Sequence, residues 1–218
     1  MAVSEPSGVV VIRDSFYTRH GKRVMDVALA LALLPILLPV MALIALGMAH
    51  RGHVIFAQDR VGRGGKVFRM YKFRSMRVDA EAYLEDLCAS DPAIAVEWND
   101  NQCLDPDPRV TKLGRILRRT KLDELPQFLN ILRGDMSFVG PRPFMPSQQG
   151  IYAACPSAEV YYDLRPGVTG TWQLDHGRDK QFVVRARYDA EYAAHCAASV
   201  DLVLLLRTVL VPFKMSGR

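Results

Sequence analysis

From Val27 to Met48 the chain carries no charged residue, in the run VALALALLPILLPVMALIALGM. That length matches the roughly 20 apolar residues that cross a bilayer as a helix. A single-pass transmembrane helix is the plain reading. A secretory signal fits less well, because the basic stretch ahead of the run is long and the apolar core is extended. Ala45-Leu46-Gly47 resembles a cleavage site only loosely. Two features favour a segment that enters and returns. Pro35 and Pro39 fall mid-run, and each removes an N–H and crowds the carbonyl four residues back, so the helical ladder is expected to break at both. Freed carbonyls in lipid are costly unless protein or water satisfies them. Both flanks are also basic, with Arg19, Lys22 and Arg23 before the run and Arg51, Arg60 and Arg63 after it. Basic flanks stay in the cytoplasm. The expected organisation is an N-terminal tail (1–20), a re-entrant helix-break-helix (21–52) and a cytoplasmic body (53–218).

The rest of the composition agrees with a globular body on one membrane element. The 218 residues suffice for one domain with a sizeable core. Half are hydrophobic, which is high for a soluble protein and low for one with many spans. A formal net charge of +5 points to an anionic partner: lipid headgroups, nucleotide phosphates or nucleic acid. Cys88, Cys103, Cys155 and Cys196 are irregularly spaced, with no CxxC pair and no histidine cluster beside them. They read as reduced cytosolic thiols.

After the apolar run, residues 54–76 read as short strands around a Gly-rich turn, in which Gly62, Gly64 and Gly65 are expected to supply positive φ. Arg60, Arg63, Lys66, Arg69, Lys72 and Arg74 interleave with these strands, facing headgroups or phosphate. Residues 79–92 suggest a helix stopped near Pro92, followed by an exposed polar loop to Pro108. Next, Val110, Leu113, Ile116 and Leu117 recur at helical spacing among Lys112, Arg115, Arg118, Arg119 and Lys121. Such a helix is either a solvated face or, beside a membrane segment, an interfacial one. A second helix follows, with Leu125, Phe128, Leu129 and Leu132 on its apolar face. Pro126 belongs in a first turn, so Asp123 and Glu124 are expected at that helix's N-terminus, where its dipole favours negative charge. Acidic caps are common at such positions. Here, though, two adjacent carboxylates stand among seven basic residues between Arg109 and Arg133, a setting for a metal ligand or for a nucleophile toward phosphorus. GDMSFVGPRP then reads as a turn-rich exit in which Pro141 and Pro143 hold Arg142 rigidly, ready to read phosphate or a base edge.

The segments FAQDRVG (56–62), YKFRSM (71–76), DPRVTKLGRILRRTKLDELPQ (107–127), LRGDMSFVGPRP (132–143) and RPGVTGTWQ (165–173) together resemble the bacterial sugar transferase family, the monotopic polyprenyl-phosphate phosphoglycosyl transferases. They occur in the family's order over roughly residues 20–213. With no large multi-helix region ahead of the apolar run, the chain looks like the small exopolysaccharide-priming members, several of which transfer galactose or glucose phosphate. The resemblance implies an α+β fold: a re-entrant membrane hairpin carrying Pro35 and Pro39, then a mainly helical cytoplasmic catalytic domain with interfacial amphipathic helices and a small β-hairpin. It implies a ping-pong reaction in which a UDP-sugar, polyprenyl (undecaprenyl) phosphate and Mg²⁺ meet at an anionic phospholipid bilayer, on the cytoplasmic face of the bacterial inner membrane. The family's Asp-Glu dyad falls on Asp123 and Glu124, with Asp123 as nucleophile and metal ligand. Arg118 matches a phosphate-contacting arginine, Pro141-Arg142-Pro143 the nucleotide-associated motif, and Arg165 and Asp189 later substrate motifs. The resemblance leaves a homo-oligomer and the identity of the sugar open. Two departures touch the hairpin and not the dyad: Leu38 stands where the family has Ser before the membrane proline, and Arg51-Gly52-His53 where it has Pro-Gly-Pro.

The apolar C-terminal stretch 199–213 is too short to span and is expected to pack on the body or lie in the interface, with Tyr188 to Tyr192 leading into it. The rival reading is a non-enzymatic membrane-anchored adaptor whose basic surface binds nucleic acid or anionic lipid; the aromatic-basic interleaving of a nucleic-acid platform is missing, and no recognised binding motif appears. A phosphotransferase of another type would carry a P-loop or a dinucleotide fingerprint, and neither is present.

Overall fold

A computed structural model describes residues 12, 14–49, 52–175 and 181–210. Much of the expected N-terminal tail, Arg51 of the second basic flank and the last residues of the C-terminal apolar stretch lie outside the described residues. The chain is mostly helical with a few short strands.

The apolar run forms helix α1 (Lys22–Met48), extended at its start by a π-helical turn, Tyr17–Gly21. Its 27 residues span about 40 Å at 1.5 Å each. Only 6 % of its most apolar stretch is buried in the protein, so α1 is no core helix but a candidate membrane span. Leu31, Ile36, Leu38, Leu43 and Leu46 are all exposed along it. The expected interruption is absent as a gap, because residues 22–48 are helical throughout, with Pro35 and Pro39 inside. Each proline removes one N–H donor, and the surrounding turns still close the helix.

The first turns of α1 are keyed into the body. Lys22 Nζ reaches Asp201 Oδ2 at 2.5 Å, and the Tyr17 and Tyr192 hydroxyls donate to the same buried carboxylate. Arg23 donates to the carbonyls of Ile131 and Leu132. Asp26, fully buried, accepts from Ser137 Oγ and the Phe138 amide, each at 3.0 Å. A buried carboxylate needs such donors, so this register of α1 on the body is fixed chemically.

Strands β1 (Ile55–Val61) and β2 (Val67–Phe73) form the expected antiparallel hairpin, in register from Ile55 opposite Phe73 to Val61 opposite Val67. Gly64 and Gly65 have the positive φ the turn needs, at 66° and 73°. Gly62 does not. Its φ is −120°, and the constraint there is space, since a Cβ would come 3.0 Å from the Phe68 ring.

Helix α2 (Ala80–Ser90) ends before Pro92 as expected, but the first part of the stretch beyond it is helical: α3 runs Pro92–Asn101, and only residues 102–108 form the expected loop. Asp91 caps it, its Oδ1 accepting from the Ala93 amide at 2.9 Å, and Pro92 takes the first helical position, where no N–H is needed. The basic helix is α4 (Lys112–Arg119), capped by Thr111 Oγ1 on the Gly114 amide. Gly114 lies against the Ser75 backbone, where a Cβ would sit 1.9 Å from the Ser75 carbonyl oxygen. Helix α5 (Gln127–Arg133) follows, then β3 (Ser137–Val139), inside the segment read as a turn-rich exit.

Short helices α6 (Gln149–Ala153) and α7 (Val160–Asp163) precede β4 (Gly167–Thr169), which pairs with β3 in parallel. Then come α8 (Thr171–Asp175), α9 (Arg185–His195) and α10 (Ala198–Leu210). Phe144, Tyr152, Tyr161 and Phe182 stack in one buried aromatic cluster, and Ile131, Met136, Val139, Tyr192 and Leu204 belong to the main core. Helix α10 points Asp201 and Leu204 inward and leaves Leu202, Leu206 and Val209 exposed.

Candidate active site

Asp123 and Glu124 occupy a 3-10 turn, Leu122–Glu124, between α4 and α5, and not the first turn of α5 as expected. Pro126 caps α5, so the dyad precedes that helix by several residues. Lys121 starts the turn with a left-handed backbone, φ 59°. The charges around the dyad therefore come from side chains, with little help from a seven-residue helix dipole.

The main partner comes from the hairpin. Lys72 Nζ lies 2.8 Å from Glu124 Oε1, both side chains being largely buried. Burial alone would raise Glu124, but Lys72, Arg142 and Lys121 outweigh it and hold the carboxyl down at about 2. Burial lowers Lys72 despite the attraction of Glu124. At neutral pH the pair is ionic. Asp123 differs. It is 5 % exposed, and no hydrogen bond to its carboxylate is present among the described residues. Burial raises it, with Glu124 adding to the rise, while Lys72, Arg118 and Lys121 pull the other way. One carboxylate is thus engaged and the other left free beside cations.

Two motifs build this geometry together. In YKFRSM, Lys72 serves Glu124, and Ser75 Oγ accepts from Arg118 Nε at 2.9 Å. Asn130, fully buried on α5, stitches the dyad's neighbour to β2 by donating to the Arg69 carbonyl and accepting from the Tyr71 amide. Of the seven nearby cations, Arg118 and Lys121 act on the dyad. Arg109 is spent on Asp107 and Arg133 on the Tyr71 hydroxyl.

Glu124, Lys72, Arg142 and Pro143 line one small cleft with Arg60 and Gln127. Arg60 is held by the Pro143 carbonyl and Gln58. Arg185 lies over the Trp172 and Phe182 rings at 4.2 and 4.5 Å. Burial, then the field of Arg142, lowers Arg60 to about 10 and Arg185 to about 9. Three guanidinium groups pressed together in this way favour an anion between them. Pro141 is buried, its carbonyl accepting from the Gly167 amide, so β4 helps hold the arginine loop.

Two expected site residues fall elsewhere. Asp189, buried in α9, accepts from the Tyr152 hydroxyl at 2.6 Å and is raised by burial to about 7. Its link to the cleft is indirect, through Arg185. Arg165 donates to the Gly134 carbonyl and lines a larger cavity at the foot of α1, away from the dyad. Asn130 and Arg185 carry no mark in the sequence, and Arg60 and Lys72 stand out there only as two of six hairpin cations suited to headgroups or phosphate, not as partners of the dyad. The alternation of β2 held one clue, since Met70 and Lys72 share a face and both line the cleft.

Among the described residues no cluster of three metal-binding side chains occurs. Mg²⁺ seldom needs one, since it takes one or two carboxylates with water and substrate phosphates filling the rest. Asp123, buried and with no hydrogen bond to its carboxylate among the described residues, fits that role; Glu124, engaged by Lys72, fits it less well.

Fold and cleft define a body with an apolar helix long enough to cross a membrane and a cationic site around one free carboxylate. The chain belongs to the bacterial sugar transferase family, whose model matches residues 17–215. It is 36 % identical over 201 residues to a UDP-galactose-lipid carrier transferase of Erwinia amylovora, covering 92 % of this chain and 42 % of that protein. It is 38 % identical over 193 residues to the exopolysaccharide production protein ExoY of Sinorhizobium fredii, covering 87 % and 84 %. The UDP-glucose:undecaprenyl-phosphate glucose-1-phosphate transferase of Escherichia coli is 36 % identical over 200 residues, covering 88 % and 40 %. The chain spans less than half the length of the Erwinia and Escherichia proteins and most of ExoY.

Proposed function

We propose that this chain is a phosphoglycosyl transferase moving a sugar 1-phosphate from a UDP-sugar to polyprenyl phosphate, as in the priming step of exopolysaccharide or other glycoconjugate synthesis. The observation that carries the reading is the division of labour in the dyad: Glu124 is neutralised by Lys72, while Asp123 lies buried among cations with no hydrogen bond among the described residues. The activities of the relatives named above supply the substrate classes.

In the proposed chemistry an Asp123 oxygen attacks the sugar-bearing phosphorus. The bond from that phosphorus to the bridging oxygen breaks, and UMP leaves with the oxygen and its electron pair. The aspartyl-phosphosugar is then attacked at phosphorus by an oxygen of polyprenyl phosphate, and the Asp123 carboxylate departs. Lys72 and Arg118 favour the ionised Asp123 needed for attack, and Arg142 with Arg60 and Arg185 receives the nucleotide's negative charge. Asp123 is the residue that would hold Mg²⁺, which would supply charge neutralisation at the donor's phosphates.

The membrane segment is proposed to be re-entrant, over 21–52, with 53–218 as a cytoplasmic catalytic domain at the inner membrane. Support comes from the two prolines inside α1 and the basic flanks on either side. The exposed apolar face of α10 and the basic α4 suit the bilayer interface.

The test is release of UMP from a panel of UDP-sugars with undecaprenyl phosphate. Wild type should turn over at least one donor, and Asp123→Asn, which keeps shape but loses the attacking charge, should lose nearly all activity. An undiminished Asp123→Asn would overturn the mechanism.

A further inference from the structure

A cavity of about 300 Å³ lies away from the dyad, at the foot of α1. Arg19, Lys22, Arg23, Arg63 and Arg165 line it, against two carboxylates, Asp14 and Asp163. Asp14 is taken by Arg19, and Lys22 by Asp201. Arg23 and Arg165 converge on the end of α5, where Arg23 donates to Ile131 and Leu132 and the Arg165 Nε to Gly134. Capping α5 accounts for those bonds. It does not account for the Arg63 side chain, exposed in the hairpin turn with no side-chain hydrogen bond or ion pair among the described residues, nor for the crowding of like charges. Burial lowers Arg165, followed by the repulsion of Arg63 and Arg23.

The surroundings indicate what relieves this excess. The cavity is built on the turns of α1 from which the apolar helix leaves the body. Phe16, 79 % exposed, and Val24, 67 % exposed, flank those turns, and Leu31 continues the apolar surface. Basic residues clustered at the start of an exposed apolar helix mark the cytoplasmic headgroup level. A ligand matching both features carries a phosphate for the arginines and acyl chains for the helix.

We infer that this cavity is a structural lipid site, in which Arg63, Arg23 and Arg165 hold the phosphate of one anionic phospholipid whose chains lie along α1. The bound lipid offsets the like-charge repulsion and fixes the depth at which the body meets the bilayer. This rests on the membrane reading of α1, which vesicle flotation with neutral phosphatidylcholine tests separately.

The experiment uses the full chain in phosphatidylcholine nanodiscs with a minor fraction of phosphatidylglycerol, counting retained lipid by native mass spectrometry. Wild type should keep one phosphatidylglycerol. Arg63→Glu should retain on the order of tenfold less, the worth of one charge-assisted pair. Arg69→Glu, an equal charge change on an exposed strand position, should retain it as wild type does. Full retention in Arg63→Glu, or equal loss in both variants, overturns the site. A second arm melts the detergent-solubilised protein with inorganic phosphate. Arg63-dependent stabilisation there, without lipid retention in nanodiscs, replaces the lipid with a soluble phosphate and also overturns the proposal. Failure to float with phosphatidylcholine would instead fault the membrane reading itself.

Discussion

Lys72→Met isolates the interaction that sets the charge of the dyad. Lys72 Nζ is 2.8 Å from Glu124 Oε1, and the two side chains are 19 % and 11 % exposed. Removing one partner of a fully buried pair costs about 3–5 kcal/mol, and partial exposure with Arg142 and Lys121 still nearby reduces this to roughly 2–3 kcal/mol. For a chain of this size that is a fall of about 4–12 °C in Tm. The acid limb gives an independent figure. Glu124 sits at about 2 against an ordinary value of 4.5. Its depressed carboxyl contributes stability that is complete above 4.5 and lost as pH falls toward 2. That interval corresponds to about 3 kcal/mol at roughly 1.4 kcal/mol per tenfold. The assay is thermal unfolding followed by circular dichroism in detergent with chelator, at neutral pH and down the acid limb. Lys72→Met should melt lower at neutral pH and lose less between pH 4.5 and 2 than wild type does. The double variant Lys72→Met/Glu124→Leu should recover most of the loss, since a buried pair replaced by apolar groups is often neutral. A Lys72→Met protein melting within about 1 °C of wild type, with an unchanged acid limb, would refute the reasoning.

Further outcomes follow from other parts of the molecule. Gly114→Ala places a Cβ 1.9 Å from the Ser75 carbonyl oxygen; α4 must move, Arg118 must leave Ser75, and both Tm and UMP release should fall. Asp189, raised by burial from 3.8 to about 7, favours the fold while protonated, so its contribution is full below 3.8 and declines as pH rises to about 7. Asp189→Asn should therefore gain Tm relative to wild type between acid and mildly alkaline pH; a constant difference across that range would contradict the assignment. Single cysteines at Arg19 and His53 should both react with an impermeant label only from the cytoplasmic side, whereas labelling from opposite sides would make α1 a span.

The parts legible in the sequence were those with local causes. Alternation and two glycines at positive φ specify the hairpin, and apolar spacing after Thr111 specifies α4. The dyad stood out because cations crowd it in the chain. Long-range causes were hidden. Asp91-Pro92 reads as the stop of α2, and it is that, but the same pair is also the cap and first residue of α3, which only the capping bond reveals. Strands β3 and β4, three residues each, are too short to display a period. The cation that holds Glu124 ionised lies 52 positions away in β2, and Asn130, which sets that approach, looks like an ordinary polar helix residue. Arg165 and Asp189 sit in recognisable motifs, yet the fold carries one to the foot of α1 and the other behind the aromatic cluster.

The central claim is that Asp123 becomes covalently loaded before any acceptor binds. The direct measurement mixes enzyme, UDP-sugar and Mg²⁺ without polyprenyl phosphate, counts UMP, and maps adducts by peptide mass spectrometry. The account predicts UMP up to about one per active site, the burst of covalent catalysis. The sugar phosphate should remain on a peptide containing Leu122, Asp123 and Glu124, and later addition of polyprenyl phosphate should discharge it. UMP that appears only when acceptor is present, with no trapped adduct, would contradict the account and leave Asp123 as a metal ligand in a direct transfer.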